Sequence, residues 1–293
     1  MYFYSMRRTC LSIILIVLPL FCFAQEDDLL EELNDLSTNE IVFELPAFKA
    51  LQIGNLQSTK VVDQGDLYMV VAHRFGSVKG GIREFYGLDQ ANTKIQLLYG
   101  LSRKLQIGLS RDSYEKTYSG TAKFKLYRQS DEMPFNVALF GSMDINTLLQ
   151  KSQYPGLLFF DRFAYTSQVL ISRRFSERFS LEFAPIYVRQ NLQDLNFAKV
   201  ANYNQFLLGI GGRFKFTKRM SLNLDYAYNF SKNINSLYKN PLTIGIDIET
   251  GGHVFQLLFT NSRASNDAAF LTETLGDWSK GEISFGFNVV RVF

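Results

Sequence analysis

The chain has 293 residues, with 31 Lys and Arg against 28 Asp and Glu, 46% apolar residues and a mean hydropathy of −0.05. Its two cysteines, Cys10 and Cys22, both precede Gln25, so the remainder holds no disulfide framework, cysteine metal site or cysteine nucleophile. Past the N-terminus no stretch nears the roughly 20 apolar residues of a helical span, so membrane residence must use strands.

Arg7 and Arg8 precede a short apolar run, Leu11 to Phe23, and Cys22-Phe23-Ala24 puts small residues at both cleavage positions. This predicts a signal peptide over residues 1–24. Phe21, bulky where a small residue is required, argues against a lipoprotein acylated at Cys22. Residues 25–62 read as an acidic periplasmic segment: between Glu26 and Glu44 there are eight acids and no Lys or Arg. It reads as a solvated tail with a short helix through Leu29, Leu33 and Leu36, or as a segment folding back toward a basic lumen, a plug or an extra strand.

From residue 63 the dominant signal is a period of two. Leu222, Leu224, Tyr226, Tyr228 and Phe230 alternate with Ser221, Asn223, Asp225, Ala227 and Asn229. Leu242, Ile244, Ile246 and Ile248 alternate with Thr243, Gly245, Asp247 and Glu249. Successive strand side chains point to opposite faces, so each segment has a fatty face and a polar one, as a bilayer-spanning barrel needs. About twelve such strands are read, over 66–75, 92–99, 105–112, 120–128, 135–146, 161–174, 179–190, 204–216, 220–230, 242–249, 253–260 and 281–292. The predicted fold is therefore all-β: a transmembrane antiparallel up-and-down β-barrel over 63–293, placed in the outer membrane. Val70, Val188 and Leu207 fall on nominally polar positions, and Pro185 in mid-strand suggests a bulge.

Short connections alternate with long ones, and with both termini periplasmic every short turn lies on the periplasmic side. Gly251-Gly252 reads as a tight hairpin turn, and Gly209-Ile210-Gly211-Gly212 as room for curvature or bulky neighbours. Tyr226, Tyr228, Phe230, Phe175, Phe179 and Phe216 are candidates for aromatic girdles. The long connection 261–280 carries Ala268 to Leu271, a short helix over or into the mouth, and the only tryptophan, Trp278, an interface anchor. The last strand ends on Phe293, a terminal aromatic like the signal read by the barrel-assembly machinery, although Arg291 interrupts its apolar face.

Several strings carry a resemblance: His73-Arg74-Phe75-Gly76, Gly87-Leu88-Asp89-Gln90-Ala91-Asn92 and Lys116-Thr117-Tyr118-Ser119-Gly120. Further on come Glu249 to Leu257, Thr260-Asn261-Ser262, Thr274-Leu275-Gly276-Asp277-Trp278, Phe285-Gly286-Phe287-Asn288 and Arg291-Val292-Phe293. From about Pro46 to the end the chain resembles a family of uncharacterised Gram-negative outer-membrane β-barrel proteins, a domain of unknown function. The resemblance implies barrel and location, and makes Arg291 a family trait. It supplies no substrate.

Catalysis finds little purchase. His73 and His253 map to opposite ends of the barrel, on the order of 25 Å apart across the apolar band, so they share neither a metal nor a proton relay. The expectation is a protein that is not an enzyme, with no cofactor, no metal and no nucleic-acid partner. Its surroundings would be outer-membrane lipid and lipopolysaccharide, with the barrel-assembly machinery as partner in biogenesis. Arg74, Asp89, Arg111, Asp112, Tyr114 and Lys116 map to the external strand ends and their loops, a mixed-charge rim for binding or screening anionic solutes, bracing loops or pairing with lipopolysaccharide phosphates. Glu182, Arg213, Lys215, Asp225, Asp247 and Glu249 fall on the inner face. The leading reading is passive passage or binding of small polar solutes. The alternative is a structural or docking barrel with a plugged lumen, and an outer-membrane enzyme is a distant third.

Overall fold

A computed structural model describes residues 45–152, 154–191, 203–232, 236–250 and 253–293. The signal peptide, the acidic stretch to Glu44 and the Gly251-Gly252 turn lie outside the described residues. Twelve antiparallel strands close into one barrel in which each strand pairs with its chain neighbours and the last pairs with the first. They are β1 (Leu67–Ser77), β2 (Ala91–Gly100), β3 (Leu105–Asp112), β4 (Thr117–Tyr127), β5 (Asn136–Asn146) and β6 (Phe163–Arg174). The second half is β7 (Phe179–Gln190), β8 (Asn204–Lys215), β9 (Met220–Asn229), β10 (Leu242–Thr250), β11 (His253–Thr260) and β12 (Ser284–Val292). Tyr68 pairs with Val292 and Arg74 with Gly286, so closure leaves no free sheet edge.

The period of two determines which side chains meet lipid. Along β9, Ser221, Asn223, Asp225, Ala227 and Asn229 are buried inside the ring while Leu222, Leu224 and Tyr228 are exposed outside it. Leu109 on β3 is 73% exposed, which a water-facing wall would not tolerate in such company. Two aromatic bands frame this apolar surface. Phe175, Phe179 and Phe216 are exposed at the short-turn end, and Tyr228 and Phe230 at the other. Phe293 sits at the short-turn end under the Arg291 guanidinium, 4.7 Å from the ring centroid.

Two local expectations are corrected. β4 begins at Thr117, because Thr117, Ser119 and Thr121 already alternate inward with Tyr118 outward. Pro185 makes no bulge: Gln168 pairs with Ile186 and Ile171 with Phe183 in one unbroken register. A strand absorbs the missing donor when the pairs on either side hold the ladder. Register shifts occur instead between Arg74 and Ser77 and between Lys125 and Tyr127.

The interior is filled. Residues 47–62, most of them buried, run inside the ring and add no strand to it, forming only an isolated bridge between Gln52 and Gln57. The connection between β11 and β12 also turns inward, carrying helix α1 (Asp267–Thr272), all of whose residues are buried.

Candidate functional site

The inner wall is polar, and its polar groups are aimed at the backbone of the inserted segment. Lys123 on β4 is fully buried, and its Nζ donates to the carbonyls of Leu51, Ser58 and Lys60 at 3.2, 2.8 and 3.2 Å. Opposite it, Asp225 on β9 accepts from Asn55 N at 2.8 Å. Glu182 on β7 accepts from Thr59 N at 3.0 Å, and Gln106 on β3 from Val62 N at 2.8 Å. Gln256 on β11 donates to the carbonyls of Gln52 and Ile53, and Asn288 on β12 to that of Gly54. An irregular segment carries unpaired N–H and C=O groups that must find partners when buried. Here the wall supplies them.

Asn55 is the most heavily used residue of the insert. Its Nδ2 donates to Thr243 and Thr260, and its Oδ1 accepts from Arg74 Nη2 at 2.6 Å. Neighbouring Gly54 leaves no room for a side chain, since a Cβ there would run into the Asp225 carboxylate and Thr243. The wall yields space as well: a Cβ on Gly211 would overlap Ile53, and one on Gly209 would press on Leu56. Those two glycines of β8 accommodate bulky neighbours, and the neighbours come from the insert.

Apolar contacts complete the seal. Leu56 clusters with Phe140, Leu170, Ile186 and Leu207 of the wall and with Phe270 and Leu271 of α1. Val188 belongs to the same cluster, while Val70 packs with Leu51, Val62, Leu98 and Val290. The apolar residues that broke the sequence alternation therefore face a core inside the lumen.

The outer insert is fastened from the rim. Asp112 Oδ2 accepts from Ser265 N and Asn266 N at 3.0 Å each, and Lys94 Nζ donates to Ser265 O at 2.9 Å. Asn266 caps α1 by accepting from Ala269 N. Trp278 fixes the far end of this loop to the barrel through Nε1, which donates to Leu242 O at 3.0 Å. The two inserts meet directly: Gln57 Nε2 donates to Asp267 Oδ1 at 2.9 Å.

The six rim residues do not form one exposed ring. Arg74 and Asp112 lie on inner-face positions and are buried, Arg74 bonding to Asn55 and Asn288. Arg111 faces outward and lies over the Tyr118 ring, while Asp89 and Lys116 are exposed on loops. Tyr114 sits in the turn after β3; burial, reinforced by Glu273 and Glu115, pushes its phenol far above the ordinary range and keeps it neutral. The inner set does face inward. Besides Glu182 and Asp225, Arg213 pairs with Glu249 at 2.6 Å, and Lys49 reaches the same carboxylate at 2.7 Å. Asp247 accepts from Gln256, and Lys215 lies half-buried at the short-turn end.

Missed in the sequence were Lys123, Asn55, Gln256 and Asn288. A lysine in a run of inward polar positions was the one legible signal among them. His73 faces outward, stacked on Phe287 with ring centroids 5.2 Å apart, and its Nδ1 is 2.9 Å from Thr93 Oγ1. Among the described residues no group of three or more His, Cys, Asp or Glu is placed to hold a metal ion.

A closed twelve-stranded ring with an apolar outside, aromatic bands and short turns at one end is a membrane-bound β-barrel of the outer-membrane kind. The chain belongs to the membrane bound beta barrel domain family DUF5777, whose model matches residues 48–293. The NanC porin shares the fold at a TM-score of 0.50 and 10% identity, over 77% of this chain and 98% of that one. The COG4313 outer membrane channel from Pseudomonas putida F1 gives 0.51 and 11%, over 80% and 97%. No curated protein matches the chain.

Proposed function

We propose that this protein is a gated outer-membrane barrel for the passage or binding of small polar solutes, closed in the present state by its own two inserts. The supporting observation is the way the inner insert is held: hydrogen bonds from wall side chains to its backbone, with Lys123 serving three carbonyls at once. Withdrawal of residues 45–63 would leave a wall lined by Lys123, Glu182, Asp225, Asp247 and Gln256, suited to water and polar solutes. Single-channel recording tests this. The full-length protein should be silent or flicker rarely in planar bilayers, and a variant lacking residues 26–63 should conduct steadily. Silence from a folded deletion variant would refute passage.

The Leu56, Phe270 and Leu271 cluster favours a second reading, a permanently sealed structural or docking barrel, because apolar seals resist hydration. The same recording separates the two. The reading is non-enzymatic: His73 faces outward near the external end and His253 begins β11 at the other, and exchanging both for Gln should leave lipid and peptide cleavage assays at background. Exposed Arg111 and Lys116 suit lipopolysaccharide phosphates, and the exposed aromatic Phe293 beside β12 suits recognition by the assembly machinery.

A further inference from the structure

The two inserts enter the ring from opposite ends. The inner one rises from the short-turn end, where Leu45 lies beside Arg178 and Lys215 and Gly65 N donates to Gly100 O at 2.9 Å. Its tip is a tight turn, Ile53-Gly54-Asn55-Leu56, in which Ile53 N donates to Leu56 O at 2.8 Å, with Ser58 N donating to Leu51 O at 3.0 Å behind it. The outer insert comes from the long-loop end, tied there by Trp278, and carries α1 inward.

Neither insert is held by its own backbone. α1 has six residues, whereas an isolated helix shorter than roughly 12–15 residues is marginal in water. The inner insert has one isolated bridge and no ladder. Each therefore depends on what covers it, and where they meet each covers the other. Leu56, Phe270 and Leu271, all at most 2% exposed, belong to one apolar cluster. Gln57 and Asp267 are both buried and share the 2.9 Å bond from Gln57 Nε2, while Gln168 of β6 reaches the same oxygen only at 3.5 Å. Withdrawal of the tip would uncover Phe270 and Leu271 and take from Asp267 its nearer donor. Withdrawal of α1 would uncover Leu56 and leave the Gln57 amide without its acceptor. Apolar surface returned to water and buried polar groups stripped of partners are both unfavourable.

We infer that the two inserts form one interlocked gate, in which the tip residues Leu56 and Gln57 and the helix α1 hold each other in the lumen, so that loosening either loosens the other. The inference rests on the reading of the barrel as gated and adds its regulation. Displacement of the loop 261–283 at the long-loop end frees residues 47–62, which leave by the short-turn end, so an event on one side of the membrane is felt on the opposite side. Such coupling is reciprocal, and couplings between protein sites amount to roughly 5- to 150-fold in an equilibrium.

The test is amide hydrogen exchange on the full-length, detergent-solubilised protein, read by mass spectrometry in both inserts. Leu56→Ala, in the inner insert, should speed exchange at the Phe270 and Glu273 amides of the outer one, which donate to Asn266 O and Ala269 O. Phe270→Ala should speed exchange at the Asn55, Thr59 and Val62 amides, which donate to Asp225, Glu182 and Gln106. Each rise is expected to be about fivefold or more, with the amides of β10 unchanged. Gln57→Ala removes only the bond to Asp267 and is safer for folding; it should move the same α1 amides by roughly threefold. Exchange that rises only within the mutated insert, or in one direction alone, would overturn the interlock. A conducting variant lacking residues 26–63, combined with inserts that exchange independently, would leave the gate standing and remove the interlock. A silent deletion variant with exchange coupled both ways would remove passage and leave the interlock.

Discussion

The substitution Lys123→Met isolates the fastening of the inner insert. Its Nζ makes three bonds to the carbonyls of Leu51, Ser58 and Lys60, in a side chain with no solvent exposure. Hydrogen bonds from a charged donor are each worth about 1.5–3 kcal/mol, and burying the ammonium takes back part of the sum. A net loss of about 2–4 kcal/mol follows, or a roughly 30- to 1000-fold rise in the population with the insert released, at about 1.4 kcal/mol per tenfold. With Cys10 and Cys22, the only cysteines, exchanged for Ser, Ser58→Cys supplies a single reporter at a fully buried position. Maleimide labelling of this cysteine reports the released fraction in the two backgrounds. Labelling should accelerate by that factor in Lys123→Met while the unboiled protein keeps its folded migration. Equal labelling rates in the two backgrounds would refute the argument that Lys123 holds the insert.

Three further outcomes are expected. Gly211→Val places a side chain where Ile53 sits, so overpacking of about 1–3 kcal/mol should speed Ser58→Cys labelling without opening the ring; unchanged labelling would show that Ile53 repacks freely. Asp112→Asn turns an amide toward the N–H groups of Ser265 and Asn266, and hydrogen exchange at those two amides should rise about tenfold, against no change in β9. In the outer loop, hydrogen bonding to Ser279 holds the Asp277 carboxyl below its usual range and hydrogen bonding to Lys79 does the same for Glu282. Both groups favour the folded loop when charged, so their contribution is complete above the ordinary carboxylate pKa of about 4 and is lost as pH falls through the lower folded values. Fluorescence of Trp278, the only tryptophan, should stay constant down to about pH 5 and shift to the red only in more acid solution, earlier in Lys79→Ala. A transition centred near neutrality would contradict this.

The barrel was legible because its physics is local. Alternation of Leu, Tyr and Ile with Ser, Asn and Asp over ten residues fixes which face of β9 or β10 meets lipid. A bilayer then imposes closure, since an open edge cannot be satisfied in hydrocarbon. Short turns and long loops followed in step. The interior was much less legible. Val188 and Leu207 looked like noise, because their partners Leu56 and Phe270 are far away in sequence and reach them only by entering the ring. Arg74 appeared to belong to an external rim, yet its inward position on β1 places it against Asn55.

Sequence by itself thus determined a closed barrel of about twelve strands, the phase of the regularly alternating ones and the identity of the lipid-facing wall, all set by side-chain chemistry within a few neighbouring residues; the count of twelve itself came with the pairing of the last strand to the first. Tertiary structure alone decided that the lumen is occupied, which backbone groups its charges serve, and that the two inserts meet inside it. Those outcomes depend on contacts between residues as distant as Asn55 and Thr260, and no local periodicity encodes such a meeting.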